Sequence, residues 1–136
     1  HSYLSGLGVE VMAASDNVLR GGLTKKPIDL EELMQLLIFE PLEDPLVQAK
    51  ILSQGLEEYP VPVEDFSVYR VTPSSDRMLV DLALNGSAIL VCVAGEITLS
   101  NSLDELIQLA PGEAAFMRAA KFFSITGSGT GYLAIG

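Results

Sequence analysis

The chain has 136 residues, of which 18 are acidic and 8 are basic, so its formal net charge is −10. This charge argues against nucleic acid or an anionic membrane as the main partner, because both require a large basic face. Hydrophobic residues make up 49% of the chain, which is enough for a packed core and excludes wholesale disorder. The length predicts one domain, or one domain with a fragment of another.

The cysteine content indicates the compartment. A single cysteine, Cys92, rules out a disulfide within the chain and favours a reducing environment, so we expect a cytoplasmic protein. No stretch reaches the roughly 18 apolar residues of a transmembrane helix, and the first residues do not resemble a signal peptide. The chain begins at His1 in strand-like sequence, and we expect it to be part of a longer protein.

Residues 1–12, HSYLSGLGVEVM, are extended in character and are interrupted by Ser-Gly-Leu-Gly. If the middle of this segment turns, its two ends become neighbouring antiparallel strands that place His1 and Glu10 on the same side. The tripeptide Ser-Asp-Asn at residues 15–17 is typical of a loop, because Asp and Asn side chains bond their own backbone.

A cluster of positive charge follows in LRGGLTKK, where Arg20, Lys25 and Lys26 flank a Gly-Gly pair. This pattern indicates a site for a small anion. Glycines let backbone N–H groups approach closely, arginine offers a planar fork of donors, and lysine offers a mobile point charge. The alternative is a solvated loop without a ligand.

Titratable side chains precede this cluster, namely His1, Glu10 and Asp16. Two carboxylates, an imidazole and nearby cations can support proton transfer beside an anionic substrate. Spacing alone leaves a structural alternative open, in which Glu10 and Arg20 form a partly buried ion pair.

PIDLEELMQLL, residues 27–37, predicts the one clear helix, which Asp29 can cap. Two acidic residues in its first turn suit the positive N-terminal end of the helix dipole. We expect its apolar stripe to be ordinary core packing; the stripe consists of Ile28, Leu30, Leu33, Met34 and Leu37. Residues 38–65 are rich in proline and acidic residues, which predicts a connecting segment with short strands.

From Phe66 onward, eight short apolar runs are separated by turn residues about every ten positions, which predicts a β-sandwich or barrel. We expect Cys92 to be a small core residue. Because residues 28–136 contain no histidine and only this cysteine, we expect no ordinary metal site within them. Single polar residues in the apolar runs mark expected solvent-facing positions: Arg70, Asp81, Gln108 and Arg118.

The segment HSYLSGLGVEVMAASDNVLRGGLTKKPIDLEEL resembles the signature of the type I phosphomannose isomerases, the zinc-dependent mannose-6-phosphate isomerases. The matching elements are His-x-Tyr, then Glu-x-Met-x-x-Ser-Asp-Asn-Val-x-Arg-x-Gly, then Thr-x-Lys. One departure is Lys25, which stands where the family usually has proline. The resemblance continues more loosely to the end of the chain, through PVPVEDF, SAILVCVAGEITL and LAPGEAAFM.

This resemblance implies an all-β fold: a cupin-like jelly-roll barrel with one short helix, preceded by strands from a second, catalytic cupin barrel. It assigns residues 1–27 to the end of the metal-bearing catalytic domain and residues 28–65 to the helix and connecting segment. Residues 66–136 would form a metal-free C-terminal cupin-like domain. We expect that domain to be structural and to pack against a missing N-terminal part.

The resemblance also implies roles for individual residues. His1 would be the last protein ligand of one catalytic zinc ion, whose other ligands, a Gln-x-His pair and a Glu, lie upstream in the family. Arg20 would be the active-site arginine that faces the sugar phosphate and the developing enediol. Glu10 and Asp16 would be pocket carboxylates, and Lys26 would lie near the anion.

The implied activity is the interconversion of mannose 6-phosphate and fructose 6-phosphate through a cis-enediol, with the identity of the base left open. Since the other zinc ligands would lie upstream, this chain alone would lack a complete active site. One alternative is a non-catalytic cupin module that binds a sugar phosphate or another small anion. Another is a scaffold whose barrel serves only contacts with other chains.

Overall fold

A computed structural model describes residues 4–14, 19–41, 43–74, 78–80, 86–101, 105–119 and 123–136. Apart from one short helix, the regular secondary structure of these residues consists of β-strands, as the sequence predicted. The helix is α1, Leu30–Leu36. The strands in chain order are β1 Lys50–Ser53, β2 Leu56–Tyr59, β3 Ser67–Val71, β4 Met78–Val80, β5 Ala88–Ala94, β6 Ile97–Asn101, β7 Leu106–Leu109, β8 Ala114–Met117, β9 Phe123–Gly127 and β10 Thr130–Ile135.

The strands form two antiparallel sheets. The larger has the order β1-β2-β3-β10-β5-β8, and the smaller has the order β4-β9-β6-β7. Each of the eight apolar runs predicted from Phe66 onward contains one of the strands β3 to β10. The short strands expected between residues 38 and 65 are β1 and β2. Among the described residues, no helix has the length and apolar character that a membrane crossing requires.

The core lies where alternate residues of the two sheets meet. Strand β5 shows the period of two clearly, since Ala88, Leu90 and Cys92 are buried while their neighbours are more exposed. Cys92 is a core residue, as predicted, and its Sγ lies 3.5 Å from the carbonyl oxygen of Ala94. The other fully buried large side chains are Val71, Ile97, Ile125 and Leu133.

The polar residues within the apolar runs follow the predicted alternation in part. Gln108 and Arg118 are exposed, as expected. Arg70 is half-buried, and Asp81 lies outside the described residues.

A glycine allows the two sheets to approach closely at β10. A Cβ atom on Gly131 would lie 2.7 Å from Cδ1 of Ile97 in β6 and 2.9 Å from the carbonyl oxygen of Val91 in β5. These distances are shorter than ordinary van der Waals contacts, so no other residue fits this position without displacing its neighbours.

The chain divides into two compact units. One contains Val47–Gly136 together with the residues up to Val11, and the other is Met12–Leu46. The predicted boundaries after residues 27 and 65 concern the domains of a longer protein, and they stay a prediction.

The unit Met12–Leu46 contains helix α1. The Asp29 carboxylate accepts a hydrogen bond of 3.0 Å from the N–H of Glu32, which confirms the predicted cap. No helix residue is buried. The exposed residues of the apolar stripe have relative solvent exposures from 44% at Ile28 to 63% at Leu30. The expectation of ordinary core packing is therefore wrong in this structure, because none of the described residues forms a second apolar layer that buries the stripe.

The first segment also differs from expectation. The chain bends at Ser5 and Gly6, where Gly6 has a φ of +118°, close to the predicted turn. Residues 4–14 contain no strand, however. A strand requires a hydrogen-bonded neighbour, and none of the described strands pairs with this segment.

Candidate functional site

The structure describes three of the five residues predicted for the site. Arg20 is half-buried, whereas Glu10 and Lys26 are exposed. Glu10 belongs to one compact unit, and Arg20 and Lys26 belong to the other. The remaining two, His1 and Asp16, lie outside the described residues.

The loop after Arg20 has an unusual backbone. Gly22 has a φ of +135°, and the next residue, Leu23, has a φ of +54° although it is not glycine. A left-handed conformation costs a residue with a Cβ about 1–2 kcal/mol. The loop then turns at Thr24, whose Oγ1 accepts a hydrogen bond of 3.2 Å from the N–H of Lys26. The result is a tight turn with Lys25 and Lys26 in solvent.

Arg20 lines an open groove. Its walls are formed by Leu19 and Arg20 on one side and by residues 27–32 on the other. Residues 27–32 include the cap and first turn of α1, so three of the residues that line the groove are acidic: Asp29, Glu31 and Glu32. Lys26 is not among the lining residues.

The charges in this groove limit its chemistry. The lining of the groove has three acidic residues and one arginine, and this net negative charge disfavours the binding of a dianion. A partly neutralised guanidinium can still stabilise a single negative charge that develops on an oxygen atom. The groove therefore suits Arg20 as an oxyanion partner better than as a phosphate anchor.

Sequence reasoning did not place the carboxylates beside Arg20. It assigned Glu31 and Glu32 to the helix dipole alone, which is a local effect. The signal that points further is Pro27, which follows the Gly21-Gly22 pair after four residues, because two turns close together fold the chain back on itself. This return brings the helix N-terminus next to Arg20.

Within the described part of the chain, no group of three or more His, Cys, Asp and Glu side chains is arranged to hold a metal ion. A catalytic zinc site usually has three protein ligands. The described residues therefore do not fit a zinc ion by themselves.

Comparison with known proteins identifies relatives of this chain. No family model matches the chain. The chain is 42% identical over 135 residues to the mannose-6-phosphate isomerase of Escherichia coli K12, an alignment that covers 98% of this chain. It is 37% identical over 131 residues to the enzyme of Bos taurus, covering 92% of this chain. The chain is homologous to the mannose-6-phosphate isomerases. It spans about a third of their length, namely 34% of the E. coli protein and 31% of the bovine protein.

Solved structures of a mannose-6-phosphate isomerase agree with this homology. A Salmonella typhimurium variant in which alanine replaces a histidine superposes with a TM-score of 0.75 at 34% identity, covering 90% of this chain and 31% of that one. A second Salmonella structure, bound to its substrate and to zinc, has a TM-score of 0.73 at 32% identity, covering 89% of this chain and 31% of that one. These likenesses confirm the predicted fold class.

Two further Salmonella structures carry alanine in place of a histidine and an arginine. These residues stand at positions 255 and 274 of that enzyme, and thus 19 positions apart. His1 and Arg20 have the same separation. The other substituted positions of the series, 99, 132 and 134, all precede this pair.

Proposed function

We propose that this chain is the C-terminal part of a type I mannose-6-phosphate isomerase, which interconverts mannose 6-phosphate and fructose 6-phosphate. The similarity at 42% identity over 98% of the chain carries this proposal. The separation of His1 and Arg20 supports it, because it equals the separation of a histidine and an arginine chosen for substitution in the Salmonella enzyme.

The proposed reaction moves one proton between neighbouring carbon atoms. A base removes the proton from C2 of the open-chain aldose, and the electron pair shifts so that the C1 carbonyl oxygen becomes an enediolate oxygen. Delivery of a proton to C1, together with transfer of the O2 proton to O1, then yields the ketose. A positive group beside the enediolate lowers the barrier, because negative charge develops there in the transition state.

We assign Arg20 to this enediolate oxygen and Lys26 to the phosphate. The carboxylates around Arg20 support the first assignment, because they weaken its hold on a dianion. Exposure in a tight turn supports the second, since the Lys26 ammonium is accessible to a substrate phosphate. Glu10 and Asp16 are the carboxylates that we propose for proton transfer.

Zinc enters the proposal through His1. Zinc-bound structures of the Salmonella enzyme support one zinc ion as cofactor. Since the described residues do not form a metal site, the remaining ligands would be supplied by the upstream part of the enzyme. When bound, zinc acts as a Lewis acid that polarises substrate oxygens.

The proposal extends to partners and location. The substrate is a small sugar phosphate, and the C-terminal unit packs against the upstream part of the enzyme. Residues 1–27 complete the catalytic barrel, residues 28–65 connect, and residues 66–136 form the second barrel. A cytoplasmic location is supported by the single, buried cysteine Cys92, which leaves no disulfide to be maintained.

The test is a coupled isomerase assay on the intact gene product with mannose 6-phosphate, before and after zinc chelation. We expect turnover that is lost on chelation and restored by zinc. A folded, metal-loaded protein without turnover would overturn the enzymatic proposal. Binding of the sugar phosphate in that case would favour the non-catalytic module.

A further inference from the structure

The larger sheet presents a second apolar face on the side opposite the core. In an antiparallel sheet, directly paired residues point to the same side. One row of such pairs crosses all six strands on the side of the sheet that faces away from the core. The row consists of Ile51, Glu57, Arg70, Tyr132, Val91 and Ala114. A neighbouring row contains Tyr59, Val68, Ala134, Ile89 and Phe116. We call these two rows the outer face.

The outer face is unusually apolar for a surface. Ile89 and Phe116 are direct partners in β5 and β8, and they are 52% and 63% exposed. Ile51 at the β1 end of the face is 74% exposed. An antiparallel sheet in contact with water normally has one apolar face and one polar face. A sheet that is apolar on both faces is covered by other structure on both.

The tyrosine, arginine and phenylalanine residues of the outer face are of types typical of an interface. Arg70 forms an ion pair with Glu57 across β2 and β3, and their side chains are 39% and 24% exposed. The rings of Tyr59 and Tyr132 lie beside this pair, with their centroids 6.3 Å apart. Burial raises the pKa of the Tyr59 phenol, so it remains neutral. Tyrosine, arginine and phenylalanine are enriched where proteins meet.

One donor on this face lacks an acceptor. The Nε atom of Arg70 is shielded from solvent, and no hydrogen-bond partner for it exists among the described residues. A shielded donor without a partner is costly, so native proteins rarely leave one. Glu57 Oε2, which belongs to the ion-pair partner of Arg70, is shielded in the same way, so this pair is already largely withdrawn from water beside the apolar residues of the face.

We infer that the outer face is the surface on which the upstream part of the enzyme packs. This inference rests on the proposed function, which makes this chain one part of a mannose-6-phosphate isomerase. The relatives are about three times as long as this chain, so they contain ample further structure to cover the face.

Thiol labelling at two matched positions tests this inference. The variants are Phe116→Cys on the outer face and Leu106→Cys on the smaller sheet, made separately in the intact gene product. Leu106 is 70% exposed and pairs with Ser100, on the side of β7 that faces away from the core. Peptide mass spectrometry after native alkylation gives the rate for each introduced thiol. Cys92 reports folding, since it is buried in the native core.

We expect the thiol of Phe116→Cys to react at least about tenfold more slowly than the thiol of Leu106→Cys, because a covered site reacts only when the interface opens. Equal rates would overturn the inference. Slow labelling that becomes fast when the protein is diluted would also overturn the inference, since a second copy of the protein would then cover the outer face. If Cys92 reacts in Phe116→Cys, that variant is unfolded and Ile89→Cys takes its place.

Failure of this inference and failure of the proposed function give different results. Protection of Phe116→Cys without isomerase activity would keep the interface and reject the reaction. Isomerase activity with equal labelling rates would keep the reaction and reject the interface.

Discussion

Arg20 shows how the residues around a charge decide what that charge can do. It is half-buried in a groove that is also lined by three acidic residues, one at the cap and two in the first turn of α1. In such surroundings a guanidinium contributes most where a new negative charge appears during the reaction, rather than to a charge that the substrate already carries. This difference separates the effect of a substitution on kcat from its effect on KM.

Replacing Arg20 by alanine in the intact gene product should therefore lower kcat by about a hundredfold or more, with little change in KM. Replacing Lys26 by alanine should raise KM and leave kcat within about threefold, as loss of uniform phosphate binding does. Steady-state kinetics with mannose 6-phosphate measures both values. Arg118→Ala, at an exposed arginine outside the groove, is the matched control. A kcat for Arg20→Ala within about threefold of wild type would remove this arginine from the mechanism.

Gly131 is the residue at which a single methyl group should matter most for stability. The added Cβ would meet Ile97 Cδ1 at 2.7 Å and Leu90 Cδ1 at 3.1 Å, so Gly131→Ala should destabilise the chain by about 1–3 kcal/mol. Denaturant unfolding of the 136-residue chain measures this loss. Gly8→Ala is the control, because a Cβ atom at that position would meet nothing within 4 Å. Equal unfolding midpoints for both variants would contradict the close approach of the sheets.

At the scale of elements, the ion pair between β2 and β3 shows the limits of sequence reasoning. The sequence predicts Arg70 to be solvent-facing, yet the structure shows it half-buried beside Glu57. Periodicity identified the strand and the face of it on which Arg70 lies. It could not identify the partner, because the pairing of Glu57 with Arg70 depends on which strands are neighbours and in which register.

The same reasoning explains what could be predicted elsewhere. Strands β3 to β10 followed from apolar runs between turn residues, and α1 followed from the cap at Asp29, because these signals are local. The order of strands did not follow, since it depends on contacts between distant segments. The assignment of the site residues depends on family resemblance and stays a prediction. The acidic residues that line the groove with Arg20 depend on how a loop folds back, which spacing does not specify.

A double-mutant cycle tests the pair itself. Arg70→Met and Glu57→Gln should show a coupling free energy of about 1 kcal/mol, because the pair is only partly exposed and each partner alone would leave a shielded polar group. Unfolding in denaturant gives the four free energies. The control is Lys50 with Glu58, where the atoms are 3.9 Å apart and Lys50 is 71% exposed, so its coupling should be near zero. Equal coupling free energies for the two pairs would show that shielding on the outer face does not strengthen the ion pair.

At the scale of the whole molecule, the two compact units differ in what holds them together. Val47–Gly136 contains the buried core between two sheets. In Met12–Leu46, by contrast, none of the described residues is buried. Most of the stability of a short helix comes from packing of its apolar face. The unit Met12–Leu46 therefore has little stability of its own.

Limited trypsin digestion of the 136-residue chain should therefore cut first after Arg20 or Lys25. Cleavage there should be at least about tenfold faster than after Arg70, which is paired in the central part of the larger sheet. Mass spectrometry identifies the order of the cuts. The bond after Lys25 should be cut more slowly in the intact gene product, where upstream structure supports this segment. Simultaneous cleavage at Lys25 and Arg70 would show that the β unit is not folded in the isolated chain.

The position of β10 has a consequence for how this molecule is made. Strand β10 follows all the other strands in the chain, yet it lies between β3 and β5 and pairs with both. As the ribosome releases the polypeptide from its N-terminus, β1, β2 and β3 emerge long before the strand that joins them to β5 and β8. Until Thr130–Ile135 emerges, β3 and β5 each present an open hydrogen-bonding edge. During synthesis the nascent chain therefore has two strand edges without hydrogen-bonding partners, and chaperones bind species of this kind.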